Sequence, residues 1–285
     1  MRSSRKILLT ISITPLLLIF FCAGIYAQTG QRLIAKNTDS LRSKQEIIKI
    51  RGLANELFDS AIFVSKEHTT IGYRLFRPAP SKNKYPLVVF FHGSGAIGTD
   101  NRSQLGILPK LFAGPDVQAD HPAFILAPQF AARSANYFMD SSRKLLASIP
   151  GAGLYAALEL IDSLKQDPAI DTNRIYAVGF SMGGSTVINA LALRPGMFAA
   201  GISISGIPLF NKLKQLAKTP IWLIHGTDDT ENPIDSDVQL YKELRSKNNM
   251  LFWKLKGTTH DNVFTSTLLG QTLPHWLFGH YKKRQ

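Results

Sequence analysis

One serine of this 285-residue chain stands where its hydroxyl could act as a nucleophile. Ser181 is the centre of Gly179-Phe180-Ser181-Met182-Gly183, a GxSxG motif between an apolar run at 175–179 and a predicted helix at 182–193. Between a strand and a helix, this motif holds the serine on a tight turn that small residues on either side permit. The pattern therefore predicts a serine nucleophile at the N-terminus of a helix, where the helix dipole favours negative charge.

A serine hydroxyl is a weak nucleophile at neutral pH, so it requires a base, and a carboxylate must orient that base. With this motif the acid comes next along the chain and the histidine last. Of the seven histidines, those at 260, 275 and 280 follow the candidate acids. We predict His260 as the base, because it lies in a turn after the last predicted strand. His275 and His280 lie in or beside an apolar terminal helix, where packing or capping is the expected role.

Two neighbouring carboxylates are candidates for the acid. Asp228 and Asp229 both follow the apolar run 221–225. We favour Asp229, but a shift of one residue in the loop would exchange the two, so Asp228 stays an alternative. The carboxylate that does not orient the base is expected to cap a turn.

Attack on a carbonyl creates an oxyanion that needs N–H donors. The backbone N–H of Met182, directly after the serine, is predicted as one donor. The second is expected in Phe91-His92-Gly93-Ser94-Gly95, which follows the most apolar predicted strand, because glycines there let backbone amides face a ligand. We choose Ser94, with Gly93 as the alternative.

Two histidines, His92 and His225, each precede a glycine at the end of a predicted strand. No carboxylate at the spacing of metal ligands accompanies them, so we interpret them as structural turn histidines rather than metal ligands. The single cysteine, Cys22, excludes disulfide frameworks and cysteine-ligated zinc. We therefore expect neither a metal nor an organic cofactor.

Residues 1–27 have the pattern of a signal peptide. Basic residues precede a nearly uncharged run from Ile7 to Ala27. An uncleaved anchor is the alternative, since about 20 apolar residues can span a bilayer; Pro15 and the small residue at 27 favour cleavage. Either interpretation predicts export to the periplasm or the exterior, with membrane contact only through a retained anchor.

The formal net charge of +13 bears on possible partners. Lys and Arg are scattered, without the glycine-aromatic or basic-helix patterns of nucleic-acid binding. The pattern favours a solvated cationic surface, with attraction to anionic polysaccharide or lipid as the alternative. Nucleic acid is not an expected partner, and the sequence makes no prediction of the oligomeric state.

The order of apolar runs predicts an α/β fold. Residues 28–60 are expected to be a polar leader with one helix over roughly 41–58, and 61–76 an antiparallel hairpin. From residue 86, short apolar runs alternate with helical stretches, which is typical of a parallel sheet covered on both faces. We therefore expect 61–285 to form one domain, a three-layer sandwich with a mostly parallel sheet. The predicted strands and helices are 87–91, 124–127, 175–179, 199–204, 221–225 and 250–255, and 153–165, 182–193, 235–247 and 263–278.

From about Ala61 the chain resembles the α/β-hydrolase superfamily, and within it the secreted esterases akin to polyhydroxybutyrate depolymerases, feruloyl esterases and phospholipase/carboxylesterase proteins. The resemblance lies in four blocks: 87–95, Ala127-Pro128-Gln129, 171–184 and 225–233. It implies the α/β-hydrolase fold and aligns the family's acid with Asp229. Asn136-Tyr137-Phe138 stands where the family usually carries a tryptophan.

The resemblance implies an exported serine hydrolase that cleaves carboxylic esters through an acyl-serine intermediate. Its expected substrate is a small-molecule or polysaccharide-linked ester, such as an acyl or feruloyl ester. One alternative is a peptidase of the prolyl-oligopeptidase type, although the short leader cannot supply a propeller domain. The other is a catalytically inactive binding protein on the same fold.

Aromatic residues after the predicted oxyanion loop are candidate walls of an acyl or aryl pocket, with core packing as the alternative. They are Phe112, Phe130, Tyr137, Phe138 and Phe210.

Overall fold

A computed structural model describes residues 30–34, 40–246 and 250–282, so the predicted signal segment lies outside the described residues. The strands are β1 (Gly30–Ile34), β2 (Phe58–Val64), β3 (Thr70–Phe76), β4 (Tyr85–Phe91), β5 (Phe124–Gln129), β6 (Ala135–Asp140), β7 (Leu145–Pro150), β8 (Ile170–Phe180), β9 (Ala200–Ile204), β10 (Ile221–Gly226) and β11 (Met250–Leu255). The helices are α1 (Ser40–Arg51), α2 (Ile107–Ala113), α3 (Pro115–Asp120), α4 (Ala152–Leu164), α5 (Met182–Leu193), α6 (Leu213–Leu216), α7 (Asp235–Leu244) and α8 (Leu273–Phe278).

Nine strands form one sheet in the order β1-β11-β10-β9-β8-β4-β5-β3-β2. The pairs from β1 to β5 in this order are parallel, whereas β3 pairs antiparallel with both β5 and β2. This arrangement confirms the predicted fold class, a mostly parallel sheet with an antiparallel hairpin near the N-terminus. Strands β6 and β7 form a separate antiparallel hairpin that the sequence analysis did not predict.

The sheet is covered on both faces because its central strands are apolar on both sides. On β4, Leu87, Val89 and Phe91 belong to one hydrophobic core, which contains residues of α4, α5 and α7. The alternate residues, Val88 and Phe90, belong to a second core with residues of α2 and α8. Because successive side chains of the strand point to opposite faces of the sheet, each face has its own core and its own layer of helices.

The leader contributes a strand to the sheet in addition to its helix. Strand β1 pairs in parallel with β11 and forms one edge of the sheet. Helix α1 ends at Arg51, whose carbonyl oxygen accepts a hydrogen bond from Lys110 Nζ of α2 at 2.9 Å. Phe58 begins β2, so the boundary predicted after residue 60 falls inside this strand. A five-residue edge strand has no periodicity strong enough to be seen in the sequence.

The last predicted helix, over 263–278, is interrupted. The chain is kinked within Leu268–Thr272, where Gly270 has non-helical backbone angles (φ −87°, ψ −149°). Only Leu273–Phe278 forms the terminal α-helix. Gly270 breaks the helix because glycine has no side chain to restrict its backbone.

None of the described helices is both long and apolar enough to cross a membrane.

Candidate active site

Ser181 lies at the turn between β8, which ends at Phe180, and α5, which begins at Met182. Its backbone has φ 58° and ψ −124°, in a region that non-glycine residues rarely adopt. Such a conformation costs about 1–3 kcal/mol and persists only where the surroundings hold it. The Ser181 N–H donates to the carbonyl of Ile204 at 2.8 Å, and this contact with the end of β9 holds the turn in place.

Two glycines flank the serine because the backbones around it approach closely. A Cβ atom added to Gly179 would lie 2.2 Å from the carbonyl oxygen of Gly183. One added to Gly183 would lie 1.9 Å from the carbonyl oxygen of Phe91, at the end of β4. Any larger residue would push α5 away from the sheet. The GxSxG motif therefore has glycine at both positions because a side chain would not fit there.

The structure brings together the three side chains predicted to form the triad. His260 Nε2 lies 2.9 Å from Ser181 Oγ, and His260 Nδ1 lies 2.7 Å from Asp229 Oδ2. An ionised carboxylate only accepts hydrogen bonds, so Nδ1 carries the ring proton. Nε2 is then free to accept the proton of the serine hydroxyl, as a general base must.

The acid and the histidine stand on neighbouring loops that are joined by backbone hydrogen bonds. The N–H of Thr227, after β10, donates to the carbonyl of Leu255 at 2.9 Å. The N–H of Asp228 donates to the carbonyl of Thr258 at 3.0 Å. Because β10 and β11 are parallel neighbours, their carboxyl ends meet at one edge, and these bonds fix the two loops relative to each other.

Asp229 is buried and held in the ionised state. Burial by itself would raise its pKa, but hydrogen bonds from the side chains of His225 and His260 and from the N–H of Asn232 hold that pKa well below its usual range. Its second oxygen, Oδ1, accepts the N–H groups of Glu231 and Asn232 at 3.1 and 2.9 Å. Asp229 therefore faces the histidine as a carboxylate with a fixed orientation.

Asp228, the alternative acid, has a different environment. It is exposed, and its Oδ1 accepts a hydrogen bond from Thr227 Oγ1 at 2.8 Å. The Asp228 carboxylate therefore contacts its own turn, whereas the Asp229 carboxylate contacts the candidate base.

The loop that contains the predicted donor Ser94 passes beside the serine, and the other predicted donor, Met182, directly follows it. A Cβ atom added to Gly93 would lie 3.6 Å from the Cβ of Ser181, so the loop after β4 passes next to the candidate nucleophile. Ser94 begins a 3₁₀ turn and Met182 begins α5. The first N–H groups of a helix have no partner within the helix, which leaves both amides available to an oxyanion.

His92 braces this loop. Its Nε2 accepts the N–H of Phe130 at 3.0 Å, and its Nδ1 lies 2.8 Å from the carbonyl oxygen of Gly93, to which it donates. Burial lowers the pKa of His92, which favours the neutral ring that this pattern requires. His92 thus has the structural role that we predicted for it.

His225 differs from the turn histidine that we expected, because it contacts the triad acid. Its Nε2 lies 2.7 Å from the carbonyl oxygen of Asn232 and 3.3 Å from Asp229 Oδ2. Its Nδ1 lies 2.8 Å from Oδ2 of Asp237, on the first turn of α7. No sequence pattern connects His225 with Asp237, so the analysis of the sequence did not single out this pair.

A cavity of about 350 Å³ opens next to the oxyanion loop. Residues of that loop and of the start of α2 line it, together with Phe180 and Phe264. The ring of Phe180 packs against the ring of His260, with centroids 4.9 Å apart, and against Phe264 at 5.1 Å. This apolar wall therefore continues from the cavity to the candidate base.

The aromatic residues proposed as pocket walls have other roles. Phe112, Phe130 and Phe210 are buried in the two hydrophobic cores, as the alternative interpretation expected. Phe138 is exposed on the β6–β7 hairpin. Tyr137 reaches the helix of the nucleophile, since its hydroxyl lies 3.0 Å from Ser185 Oγ.

In the described part of the chain, no group of three or more His, Cys, Asp or Glu side chains is arranged to hold a metal ion.

Comparison with known proteins agrees with the observed fold. Residues 154–267 match the model of the phospholipase/carboxylesterase family. The solved structure of a thermostable esterase is 32% identical with a TM-score of 0.72, over 81% of this chain and 64% of that one. The chain belongs to the α/β-hydrolase superfamily.

Two further relatives of this α/β-hydrolase differ in activity. The acylaminoacyl peptidase of Pyrococcus horikoshii is 17% identical with a TM-score of 0.54, over 81% of this chain and 42% of that one, and so shares the fold. A bifunctional acetylxylan esterase/xylanase of Neocallimastix patriciarum is 38% identical over 71 residues, 25% of this chain and 11% of that protein. This α/β-hydrolase spans less than two thirds of the length of each of these relatives.

Proposed function

We propose that this protein hydrolyses carboxylic esters through an acyl-serine intermediate. The observation that carries the proposal is the chain of hydrogen bonds from Ser181 Oγ through His260 to Asp229. His260 Nε2 takes the hydroxyl proton as Oγ attacks the ester carbonyl, and the N–H groups of Met182 and Ser94 stabilise the oxyanion. Asp229 stays ionised and stabilises the imidazolium that forms.

The same groups complete the reaction, with His260 alternately giving and taking a proton. His260 gives its proton to the departing alkoxide, so the alcohol leaves and the acyl group remains on Ser181. A water molecule then attacks the acyl carbonyl and gives a proton to Nε2. Collapse of the second tetrahedral intermediate releases the carboxylic acid and returns the proton to Ser181 Oγ.

The substrate that we propose has a small acyl or aryl group attached to a larger alcohol. The cavity beside the oxyanion loop, about 350 Å³, is at the lower end of the ~300–1,000 Å³ typical of ligand pockets. The local similarity to an acetylxylan esterase/xylanase supports a polysaccharide-linked ester. Two larger pockets, of 450 and 640 Å³, are lined by neither the loop after β4 nor Phe180, the residue next to the candidate nucleophile.

The same machinery can cleave amides, so a peptidase is the second candidate. Because the protein shares its fold with an acylaminoacyl peptidase, the experiment below includes peptide substrates. We favour esters because the family match is to phospholipase/carboxylesterase proteins, and the relative with 32% identity is an esterase. We also propose that the protein acts outside the cytoplasm, on the basis of the N-terminal sequence.

A fluorophosphonate probe and a substrate panel test this proposal together. The probe should label the wild type and Ser163→Ala, which removes an exposed serine of α4, but not Ser181→Ala. The panel contains p-nitrophenyl acetate, butyrate and octanoate, methyl ferulate, acetylated xylan and peptide p-nitroanilides. We expect the acetate or butyrate to be hydrolysed fastest. Faster cleavage of the anilides would favour the peptidase, and labelling without turnover of any ester would refute ester hydrolysis.

A further inference from the structure

A second histidine and a second carboxylate lie behind the triad acid. His225 and Asp237 are both fully buried, and hydrogen bonds or close contacts connect Asp237, His225 and Asp229 in a row. The row continues through His260 to Ser181. The mechanism proposed above uses the last three of these groups and leaves His225 and Asp237 without a role.

The partners of His225 require a proton on Nε2. Its nearest neighbour there is the carbonyl oxygen of Asn232, at 2.7 Å, and the next is the carboxylate of Asp229, at 3.3 Å. Both groups accept hydrogen bonds and neither donates. If the only ring proton moved to Nδ1, the lone pair of Nε2 would face two oxygens in a buried site, which is unfavourable.

Asp237 determines whether the ring also carries a proton on Nδ1. Its Oδ2 lies 2.8 Å from Nδ1, and within the described residues its Oδ1 has no hydrogen-bond partner. Burial raises the pKa of Asp237, and the hydrogen bond from His225 opposes that rise, so the ionised form of this carboxylate depends on a proton on Nδ1. A buried carboxylate without a partner is costly, so the pair favours a proton shared with Nδ1.

The other groups around the His225 ring do not reverse its preference for a proton on Nδ1. Lys254, the charged residue of the neighbouring strand β11, is the register partner of His225. The neighbouring strand β9 contains no charged residue, and the carbonyl of Ser205 after it accepts the Asn232 side chain. Burial would lower the pKa of His225, but the carboxylates of Asp229 and Asp237 raise it to about 9.

The contact with Asn232 has a consequence for the acid. The N–H of Asn232 donates to Asp229 Oδ1, while its carbonyl accepts from His225. The backbone N–H and the carbonyl of Asn232 therefore both help to fix the turn that holds the Asp229 carboxylate. His225 steadies Asp229 directly, through Nε2, and indirectly, through this turn.

We propose that His225 and Asp237 are positioning residues for the reaction at Ser181. Asp237 keeps His225 protonated on both nitrogens, so that the ring donates to Asp237 and also to Asn232 and Asp229. The result is a carboxylate held toward His260. This inference rests on the ester hydrolysis proposed above.

The decisive variant is Asp237→Asn, which keeps the side-chain shape and removes the negative charge. The Asn amide can donate to Nδ1, which leaves a neutral ring with one proton on Nε2. Because hydrogen bonds from charged donors are roughly twice as strong as neutral ones, we expect kcat for p-nitrophenyl butyrate at pH 7.5 to fall about tenfold, with KM within about twofold. The matched control, Asp235→Asn, removes an exposed carboxylate from the same helical turn and should change kcat less than about twofold.

The pH profile separates this role from a general loss of structure. Above about pH 9 the wild-type ring also loses its second proton. The ratio of wild-type to Asp237→Asn kcat should therefore narrow from about tenfold at pH 7.5 to below about twofold at pH 10, each rate being corrected with Ser181→Ala. A variant that is only less folded would keep a constant or increasing ratio, and that result would overturn the inference.

NMR of the full protein with ¹⁵N-labelled histidine tests the proton itself, without any turnover. We expect two protonated ring nitrogens for His225 at pH 7.5, one of them lost near pH 9, and a single one in Asp237→Asn. A singly protonated wild-type ring at pH 7.5 would overturn the proposal even if Asp237→Asn did not fold. Loss of ester turnover in the wild type, with the doubly protonated ring present, would instead refute the proposed function.

Discussion

Replacing Asp229 by Asn changes one atom that faces two histidines. The amide oxygen of the Asn would stay with the N–H groups of Glu231 and Asn232, which need an acceptor. The amide nitrogen would then take the position of Oδ2, 2.7 Å from His260 Nδ1 and 3.3 Å from His225 Nε2. An oxygen that accepts hydrogen bonds from two histidines is thus exchanged for an NH₂ group that only donates them.

The size of the effect follows from the tautomer of His260. An amide N–H next to Nδ1 requires Nδ1 to be the acceptor, so the ring proton moves to Nε2. Nε2 then faces Ser181 Oγ, 2.9 Å away, with a proton instead of a lone pair and cannot act as base. The same tautomer error in a serine protease lowers kcat about 10⁴-fold, so we expect a similar loss here. This factor corresponds to about 5 kcal/mol in the activation barrier.

The measurement is kcat for p-nitrophenyl butyrate at pH 7.5, with thermal unfolding of the same samples. The matched control is Asp228→Asn, because Asp228 is exposed and contacts Thr227 in its turn. We expect this variant to keep kcat within about twofold of the wild type. If Asp229→Asn retained more than a tenth of the wild-type kcat, or if Asp228→Asn had the larger effect, the assignment of the acid would be wrong.

Three other predictions follow from the same structure. Ser181→Ala and His260→Ala should each lower ester hydrolysis at least about a thousandfold, because attack and proton transfer act as one unit; near-normal turnover in either variant would contradict the mechanism. Gly183→Ala should lower the free energy of unfolding in urea by about 1–3 kcal/mol or more, since its Cβ would lie 1.9 Å from the Phe91 carbonyl oxygen; unchanged stability would be inconsistent with this close packing. The pKa of His225, raised from 6.5 to about 9, contributes stability that is complete below pH 6.5 and is lost as the pH rises through 9. The free energy of unfolding should therefore fall as the pH rises from 6.5 through 9, and a value that stays level from pH 6 to 10 would disagree.

The centre of the sheet could be predicted because its strands are short apolar runs covered on both faces. Strand β11 and helix α5 have the bounds expected from the sequence, and the GxSxG motif placed Ser181 at the junction of a strand and a helix. Asp229 and His260 were found as candidates because each follows a predicted strand in the order that the motif requires. In these cases the information is local, either a periodicity or a turn with a steric requirement.

Other features depend on contacts between distant parts of the chain, and only the tertiary structure decided them. Strand β1 is short and has no alternation of polar and apolar residues, and its place at the edge beside β11 comes from pairing with residues more than 200 positions away. The choice between Asp228 and Asp229 depends on which carboxylate the loop turns inward.

The clearest such case is the pair of His225 and Asp237. A buried ion pair leaves no periodic trace in the sequence, because its two members need only meet in space. A histidine before a glycine at the end of a strand fits an ordinary turn equally well. Amino-acid order alone was thus sufficient for the fold class, for the candidate nucleophile and base, and for a pair of candidate acids. The contact between His225, at the end of β10, and Asp237, on α7, depends on how these two elements pack, and only the tertiary structure shows it.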